Sequence, residues 1–216
     1  MAWPFPQEEL IESPKMTSFN EVVTTFLLIR HGSTATVGKS LAGRLPGVPL
    51  DAIGQRQAHE LAVRLAERAI AAIYSSPLER AVLTAEPLAK RIGHRVQIRE
   101  NLIEIDFGSW QGMTLDQLND DPLWPRFNTM RGSVGAPAGE TMLEVQARMA
   151  KELDNLRQRH DGETVAVFSH ADVIKAALML YMNMPLDCHS RLEISPASVS
   201  ILELADWGPR IVSVNS

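Results

Sequence analysis

The sequence contains almost no cysteine: Cys188 is the only one among 216 residues. A single thiol cannot form an internal disulfide, and it excludes a zinc site built from several thiolates. A chain of this length buries roughly 70% of the surface that it exposes when unfolded, so a core can form without such cross-links. The sequence therefore predicts a globular domain that is stabilised by packing.

Long apolar runs are also lacking. The longest candidates, residues 22–29 and 176–182, are well short of the roughly 18 residues that a membrane span needs. The first residues contain neither the basic segment nor the apolar stretch of a secretory signal. We therefore expect a cytoplasmic protein with no membrane partner, and a mobile tail at residues 1–20, where hydrophobic periodicity is absent.

The sequence also lacks clusters of basic residues. Lys and Arg number 21 against 26 Asp and Glu, and no basic run exceeds two residues. Proteins that bind nucleic acid usually show such runs, so we expect no nucleic-acid partner. A cationic pocket can still form locally, because local charge decides what a small anion meets.

Short apolar segments alternate with amphipathic ones along the chain. The apolar segments predict six strands, at 26–29, 69–74, 95–98, 164–168, 199–204 and 211–214. The amphipathic segments predict helices at about 58–69, 77–92, 142–156 and 172–182. Ser75 and Ser76 are expected to cap the second helix, with Pro77 at its first position. This alternation predicts one α/β domain over 21–216, a three-layer sandwich with a mostly parallel central sheet flanked by helices.

Two of the predicted strands run directly into a histidine. His31 follows the first strand and His170 follows the fourth, and ligands bind at the carboxyl ends of strands in open α/β sheets. Arg30 precedes the first histidine, and Arg80 lies in the first turn of the helix after the second strand. Two guanidiniums and two imidazoles near helix N-termini would bind a phosphate, although Arg30-His31-Gly32 alone also fits a salt-bridged scaffold.

Longer segments of the sequence help to decide between a phosphate site and a salt-bridged scaffold. They are LLIRHGST at 27–34, PLDAIGQRQA at 49–58, SSPLERAVLTA at 75–85, EIDFGSWQG at 104–112, PAGET at 137–141 and VFSHAD at 167–172. In this order they resemble the histidine phosphatase superfamily, in its phosphoglycerate-mutase-like branch, over about residues 26–205. LAGRLPG at 41–47 and DVIK at 172–175 also look like a bacterial subgroup labelled probable phosphomutase. The resemblance implies a phosphoglycerate-mutase-like fold.

The resemblance also implies a phosphohistidine mechanism without metal or cofactor. His31 would be the nucleophile, and Arg30, Arg80, His170 and the backbone N–H of Ala171 would bind the phosphoryl oxygens. Repulsion from the two guanidiniums should keep His31 neutral at pH 7. The remaining histidines are expected to be structural.

Glu104 matches the proton donor of the family, and Asp106 is its rival. Residues two apart point to opposite faces of an extended segment, so only one of the two should face the pocket. The register of the motif favours Glu104.

The sequence departs from the family pattern after the first histidine. Ser33 and Val37 stand where the family commonly has Glu or Gln and Asn, and a one-residue gap would place Thr36 at the Asn site. Ser33, Thr36 and Arg44 are therefore candidates for contacts with the substrate. Residues 108–139 are expected to form an irregular, lid-like insertion.

These features predict a metal-independent phosphomonoesterase that hydrolyses a small phosphorylated metabolite, with His31, Glu104 and His170 as catalytic residues. The main alternative is a phosphomutase that uses the same phosphohistidine and needs a site closed to water. A catalytically inactive phosphate-binding protein and a protein-phosphohistidine phosphatase are less favoured. The substrate and the oligomeric state stay open, with a dimer as one option.

Overall fold

A six-stranded sheet runs through the computed structural model, which describes residues 22–216. The predicted tail at residues 1–20 lies outside the described residues. The strands are β1 (Thr24–Arg30), β2 (Ile70–Ser75), β3 (Val96–Ile98), β4 (Thr164–Ser169), β5 (Val199–Ala205) and β6 (Gly208–Ser213). Their order is β3-β2-β4-β1-β5-β6. The first four pair in parallel, whereas β5 is antiparallel to β1 and β6 is antiparallel to β5, so the prediction of a mostly parallel sheet is confirmed.

The helices lie between the strands, as the alternating pattern predicts. They are α1 (Ala52–Leu65), α2 (Glu79–Ile92), α3 (Leu115–Asn119), α4 (Trp124–Thr129), α5 (Met142–Arg159) and α6 (Ala171–Tyr181). Short 3₁₀ turns occur at Glu100–Leu102, Gly108–Trp110 and Leu186–Arg191. None of the helices within residues 22–216 is long and apolar enough to span a bilayer.

Strand β1 separates two apolar cores. Phe26 and Leu28 face a core shared with α5 and α6, whereas Leu27 and Ile29 face a second core shared with α1 and α2. All four side chains are completely buried, which explains why β1 is an unbroken apolar run rather than an alternating one. The three-layer α/β arrangement is therefore confirmed.

The start of α2 differs from the prediction. Its first residue is Glu79, and the N-cap residue is Leu78, whose side chain makes no capping hydrogen bond. The hydroxyl of Ser75 instead donates to the backbone carbonyl of Ser76. The hydroxyl of Ser76 accepts from the Leu78 N–H over 3.3 Å and also contacts His170, the residue that follows β4. Neither hydroxyl caps a helix that starts at the predicted position, because that of Ser75 makes a local contact and that of Ser76 also contacts a residue distant in the chain. The helix therefore begins two residues later than predicted.

The insertion at 108–139 is more ordered than predicted. It contains the turn at Gly108–Trp110 and helices α3 and α4, and it encloses an aromatic cluster. The ring of Phe127 lies 5.1 Å from that of Trp110 and 5.7 Å from that of Trp124. Trp110 and Phe127 are fully buried in the same core as α5 and α6. The insertion is thus an extension of the domain core.

Candidate active site

The two histidines predicted at strand ends lie side by side. Strands β1 and β4 pair in parallel, with Arg30 opposite Ser169, so the residues that follow them emerge together at the carboxyl edge of the sheet. The ring centroids of His31 and His170 are 5.2 Å apart. The first turn of α2, which follows the neighbouring strand β2, brings Arg80 to the same edge. Parallel pairing therefore assembles residues that are far apart in the chain.

His31 is held in one tautomer by its neighbours. Its Nδ1 lies 2.7 Å from the carbonyl oxygen of Gly32, which can only accept a proton, so Nδ1 carries the hydrogen. Its Nε2 accepts a hydrogen bond from Nε of Arg80 over 3.3 Å and therefore carries the lone pair. Burial, followed by the charges of Arg80 and Arg30, holds the pKa of His31 well below its usual range. The ring is neutral at pH 7, and burial contributes more to this than the charge repulsion that the sequence suggested.

The loop after His31 is packed too closely for side chains at two positions. A Cβ on Gly32 would lie 2.8 Å from the carbonyl oxygen of Gly54, and one on Gly54 would lie 2.1 Å from that of Ser33. The Ser33 hydroxyl donates to the carboxylate of Asp51, which also caps α1 by accepting from the Gly54 N–H. These contacts fix the loop against the first turn of α1 and engage the Ser33 side chain there.

A cavity of about 190 Å³ opens at this edge of the sheet. The predicted site residues that line it are Arg30, His31, Thr36, Arg80, Glu104 and Ala171, and Asp172 and Phe107 join them. The loop at 34–43 forms the opposite wall, where the hydroxyls of Thr34 and Thr36 lie 2.9 Å apart. A larger groove of about 890 Å³ runs beside α1 and α2 and contains none of the predicted site residues.

Both cavity arginines are held by backbone carbonyls. Arg30 Nη1 donates to the carbonyl of Ile194 over 2.6 Å, and Arg80 Nη2 donates to that of Gly43 over 2.7 Å. Among the described residues, no carboxylate lies within 4 Å of either guanidinium, and the buried Nε of Arg30 has no hydrogen-bond partner. Burial lowers the pKa of both side chains, yet arginine remains charged at pH 7. Two guanidiniums without a direct ion pair among the described residues favour an anion in the cavity, and this argues against the salt-bridged scaffold.

His170 is fully buried behind His31, at the start of α6. Its Nε2 lies 2.7 Å from the Ser76 hydroxyl, and its Nδ1 lies 3.9 Å from a carboxyl oxygen of Glu104. Nδ1 has no hydrogen-bond partner among the described residues. Burial, with the charge of Arg80, holds the pKa of His170 well below its usual range, so this ring is also neutral at pH 7.

The two rival carboxyl groups have different surroundings. Glu104 lines the cavity, and burial first, then the charge of Asp172, raise its pKa to about 7 despite the opposing charge of Arg80. Asp106 lies outside the cavity lining, where its side chain is about one-third exposed, accepts from the Gly108 N–H and lies 3.5 Å from Arg44. Only Glu104 faces the cavity, as expected for two residues on opposite faces of an extended segment.

Arg44 belongs to a clamp on the backbone of Glu104. The carbonyl oxygen of Glu104 accepts from Arg44 Nε over 2.8 Å and from Arg148 Nη2 over 3.2 Å. The carboxylate of Glu140 binds both guanidiniums, at 2.7 Å and 3.0 Å. Arg44 therefore has partners outside the cavity, and the expectation that it contacts substrate gains no support from this geometry.

Asp172 is a cavity residue that the sequence analysis did not propose. Its carboxylate lies 3.2 Å from Arg131 Nη1 and 2.9 Å from His189 Nε2. Burial alone would raise the pKa of Asp172, but the charges of Arg131 and His189 lower it below its ordinary value. The segment VFSHAD already places Asp172 two residues after His170, so the sequence could have suggested it. Its contact with Arg131, 41 residues away in the chain, could not be predicted from any local pattern.

Metal-binding side chains are not grouped in the described part of the chain. Within residues 22–216, no set of three or more His, Cys, Asp or Glu side chains is arranged to hold an ion. His59 and His94 instead contact backbone carbonyls, of Gln55 and Ile70.

Comparisons with known proteins agree with this arrangement. The sequence profile described as the histidine phosphatase superfamily (branch 1) matches residues 26–216. Bifunctional protein Rv2228c of Mycobacterium tuberculosis is 36% identical over 208 residues, covering 94% of this chain and 57% of that protein, so the chain spans little more than half its length. Phosphoserine phosphatase 1 of Hydrogenobacter thermophilus is 29% identical, covering 88% of this chain and 90% of that protein. The solved structure of a mycobacterial glucosyl-3-phosphoglycerate phosphatase superposes with a TM-score of 0.82 at 26% identity, over 90% of this chain and 99% of that chain.

Proposed function

The chain belongs to the histidine phosphatase superfamily, and on that basis we propose that it is a phosphomonoesterase that acts through a phosphohistidine at His31. One observation carries the proposal: the ring of His31 is neutral, and its Nε2 has the lone pair at a cavity that Arg30 and Arg80 also line. Neither guanidinium has a carboxylate partner among the described residues. Two relatives whose names describe phosphatases, acting on phosphoserine and on glucosyl-3-phosphoglycerate, support hydrolysis as the reaction type.

In the first step, the phosphoryl group moves from the substrate to His31. The Nε2 lone pair forms a bond to phosphorus, and the bond from phosphorus to the alcohol oxygen breaks. Arg80 releases its long contact with Nε2 and, together with Arg30, donates to the phosphoryl oxygens, which stabilises the negative charge of the transition state. The electron pair leaves on the alcohol oxygen, which takes the proton of Glu104.

In the second step, water removes the phosphoryl group. The carboxylate of Glu104 takes a proton from water, the oxygen attacks phosphorus, and the N–P electron pair returns to Nε2 of His31. The products are the alcohol and inorganic phosphate. A carboxyl whose pKa is about 7 suits both steps, because near neutral pH it exchanges readily between its protonated and ionised forms.

The proposed substrate is a small phosphorylated metabolite. The cavity of about 190 Å³ accommodates a phosphoryl group and a compact organic part, and Val37, Leu41 and Phe107 contribute apolar surface beside the two arginines. No step of the proposed mechanism requires a metal ion, since the guanidiniums supply the positive charge.

Hydrolysis of a panel of phosphomonoesters tests the proposal. The panel contains phosphoserine, sugar phosphates, glycerol phosphates and p-nitrophenyl phosphate, and the release of inorganic phosphate is measured with and without EDTA. We expect turnover that EDTA does not reduce. Transfer of the phosphoryl group between two hydroxyls without release of phosphate would establish the phosphomutase instead, and loss of activity in EDTA would contradict metal independence.

Trapping of the phosphoenzyme tests the role of His31. A ³²P-labelled substrate is quenched in alkali, in which phosphohistidine survives, and the label on the protein is counted. We expect label on the wild type and on His59→Asn, a control with an exposed histidine on α1, and none on His31→Asn. His31→Asn should also lose about 10⁴-fold in turnover. Full activity in His31→Asn would exclude the mechanism.

A further inference from the structure

Ser76 is in contact with the second active-site histidine, although its place before α2 suggests a helix cap. Its Oγ lies 2.7 Å from Nε2 of His170, across 94 positions of the chain. Both side chains are completely buried. A buried hydroxyl on a catalytic ring nitrogen controls where the proton of that ring resides.

The hydrogen bonds of Ser76 determine the direction of this contact. Its Oγ already accepts from the Leu78 N–H, and its hydroxyl hydrogen has no acceptor among the described residues other than Nε2 of His170. If Nε2 carried the hydrogen instead, both the buried hydroxyl hydrogen of Ser76 and the lone pair on Nδ1 of His170 would be without a partner among the described residues. With the hydrogen on Nδ1, only that hydrogen lacks a hydrogen bond, and it lies on the side of the ring that is 3.9 Å from a carboxyl oxygen of Glu104. The hydroxyl therefore donates, and Nε2 of His170 carries the lone pair.

The other nitrogen of the ring must then hold the hydrogen. Burial holds the pKa of His170 well below its usual range, so the ring is neutral and has a single N–H. Nδ1 is buried without a partner among the described residues, 3.9 Å from a carboxyl oxygen of Glu104 and on a ring whose centroid is 5.2 Å from that of His31. An N–H in this place has no acceptor until a ligand supplies one.

We propose that Ser76 is a positioning residue for the phosphoryl transfer: its hydroxyl holds His170 in the Nδ1–H tautomer, and this N–H donates to an oxygen of the phosphoryl group on His31. The inference rests on the proposed function, because the acceptor of this N–H is the phosphoryl group that the proposed mechanism places on His31. In the opposite tautomer a lone pair would face the phosphoryl oxygens and repel them. The hydroxyl of Ser76 thus acts on the transition state through the ring of His170.

The tautomer can be measured without any turnover. Long-range ¹H–¹⁵N spectra distinguish protonated from unprotonated ring nitrogens, and the His170 signals are those that disappear in His170→Asn. We expect the wild type to have a hydrogen on Nδ1 and none on Nε2, and Ser76→Ala to gain a population with a hydrogen on Nε2. A wild-type ring that carries its hydrogen on Nε2 overturns the inference directly, even if Ser76→Ala does not fold.

Ser75→Ala is the matched control. Ser75 is equally buried and precedes Ser76, but its hydroxyl donates to the backbone carbonyl of Ser76 and not to a histidine nitrogen. We expect Ser76→Ala to lose roughly 10-fold or more in kcat and in vanadate inhibition, and Ser75→Ala to retain both together with the wild-type spectrum. Equal losses in the two variants, or an unchanged His170 tautomer in Ser76→Ala, would refute the positioning role. Absence of phosphatase activity in the wild type would refute the proposed function and leave the tautomer measurement intact.

Discussion

Nε of Arg80 donates to Nε2 of His31 across 3.3 Å, so one guanidinium touches the atom that the proposed mechanism uses for attack. The same guanidinium is anchored through Nη2 to the carbonyl of Gly43 in the loop that forms the far wall of the cavity. Arg80 therefore spans the cavity from the nucleophile to that loop. A phosphoryl group that reaches Nε2 of His31 therefore has to displace the contact with Nε of Arg80, while Nη2 can keep the guanidinium anchored to Gly43.

This arrangement predicts that Arg80→Lys is nearly as harmful as Arg80→Ala. An ammonium cannot reach Gly43 and a phosphoryl oxygen at once, as the planar fork of arginine does. We expect both variants to lose about 10²–10³-fold in kcat/KM, with vanadate inhibition weakened in parallel. Arg56→Lys, on the exposed surface of α1, is the control and should retain wild-type kinetics. Wild-type kinetics in Arg80→Lys would show that Arg80 has only a structural role.

The fold was predictable where burial leaves a local pattern. The apolar run of β1 is unbroken because both faces of the strand are covered, and the run stops at Arg30, where the cavity begins. The histidines that follow β1 and β4 could therefore be assigned to one sheet edge from the sequence alone. The beginning of α2 could not, because Ser76 is drawn to His170 by a contact across 94 positions.

Residues that support the site indirectly were harder to find. Arg148 clamps the carbonyl of Glu104, yet in the sequence it is one of several arginines on the polar face of α5. Arg157 lies on the same helix and binds Asp206 at the surface. Only the tertiary packing distinguishes the two, so periodicity alone gives them the same interpretation.

The clamp on Glu104 predicts a measurable cost for the loss of Glu140. Glu140→Gln removes the charge that holds Arg44 and Arg148, and we expect it to lower the free energy of unfolding by roughly 1–3 kcal/mol and to slow turnover. Asp206→Asn breaks the more exposed pair with Arg157 and should change stability by less than about 1 kcal/mol. Denaturant melts and kcat of both variants check this. Equal effects in the two variants would show that the clamp adds nothing beyond a surface ion pair.

The raised pKa of Glu104 predicts how stability depends on pH. The folded protein keeps this proton up to a pH of about 7, whereas the unfolded chain releases it near pH 4.5, so the folded state binds more protons between these values. Glu104 therefore makes the free energy of unfolding fall as the pH rises through this window. We expect Glu104→Gln to gain stability relative to the wild type between pH 5 and pH 8, by at most roughly 3 kcal/mol. If the free energy of unfolding depends on pH in the same way in both proteins, the pKa of Glu104 is not raised.

The dependence of activity on the leaving group can show which of the two carboxyl groups, Glu104 or Asp106, is the proton donor. Glu104→Gln keeps the shape of the side chain but has no proton to transfer, so hydrolysis of an alkyl phosphate should fall about 10²–10⁴-fold. The loss should be smaller for p-nitrophenyl phosphate, because its phenolate departs without a proton, and alkali-stable phosphoenzyme should then accumulate since water is no longer activated. Asp106→Asn, outside the cavity lining, should affect both substrates equally. If Asp106→Asn shows the dependence on the leaving group and Glu104→Gln does not, Asp106 is the acid.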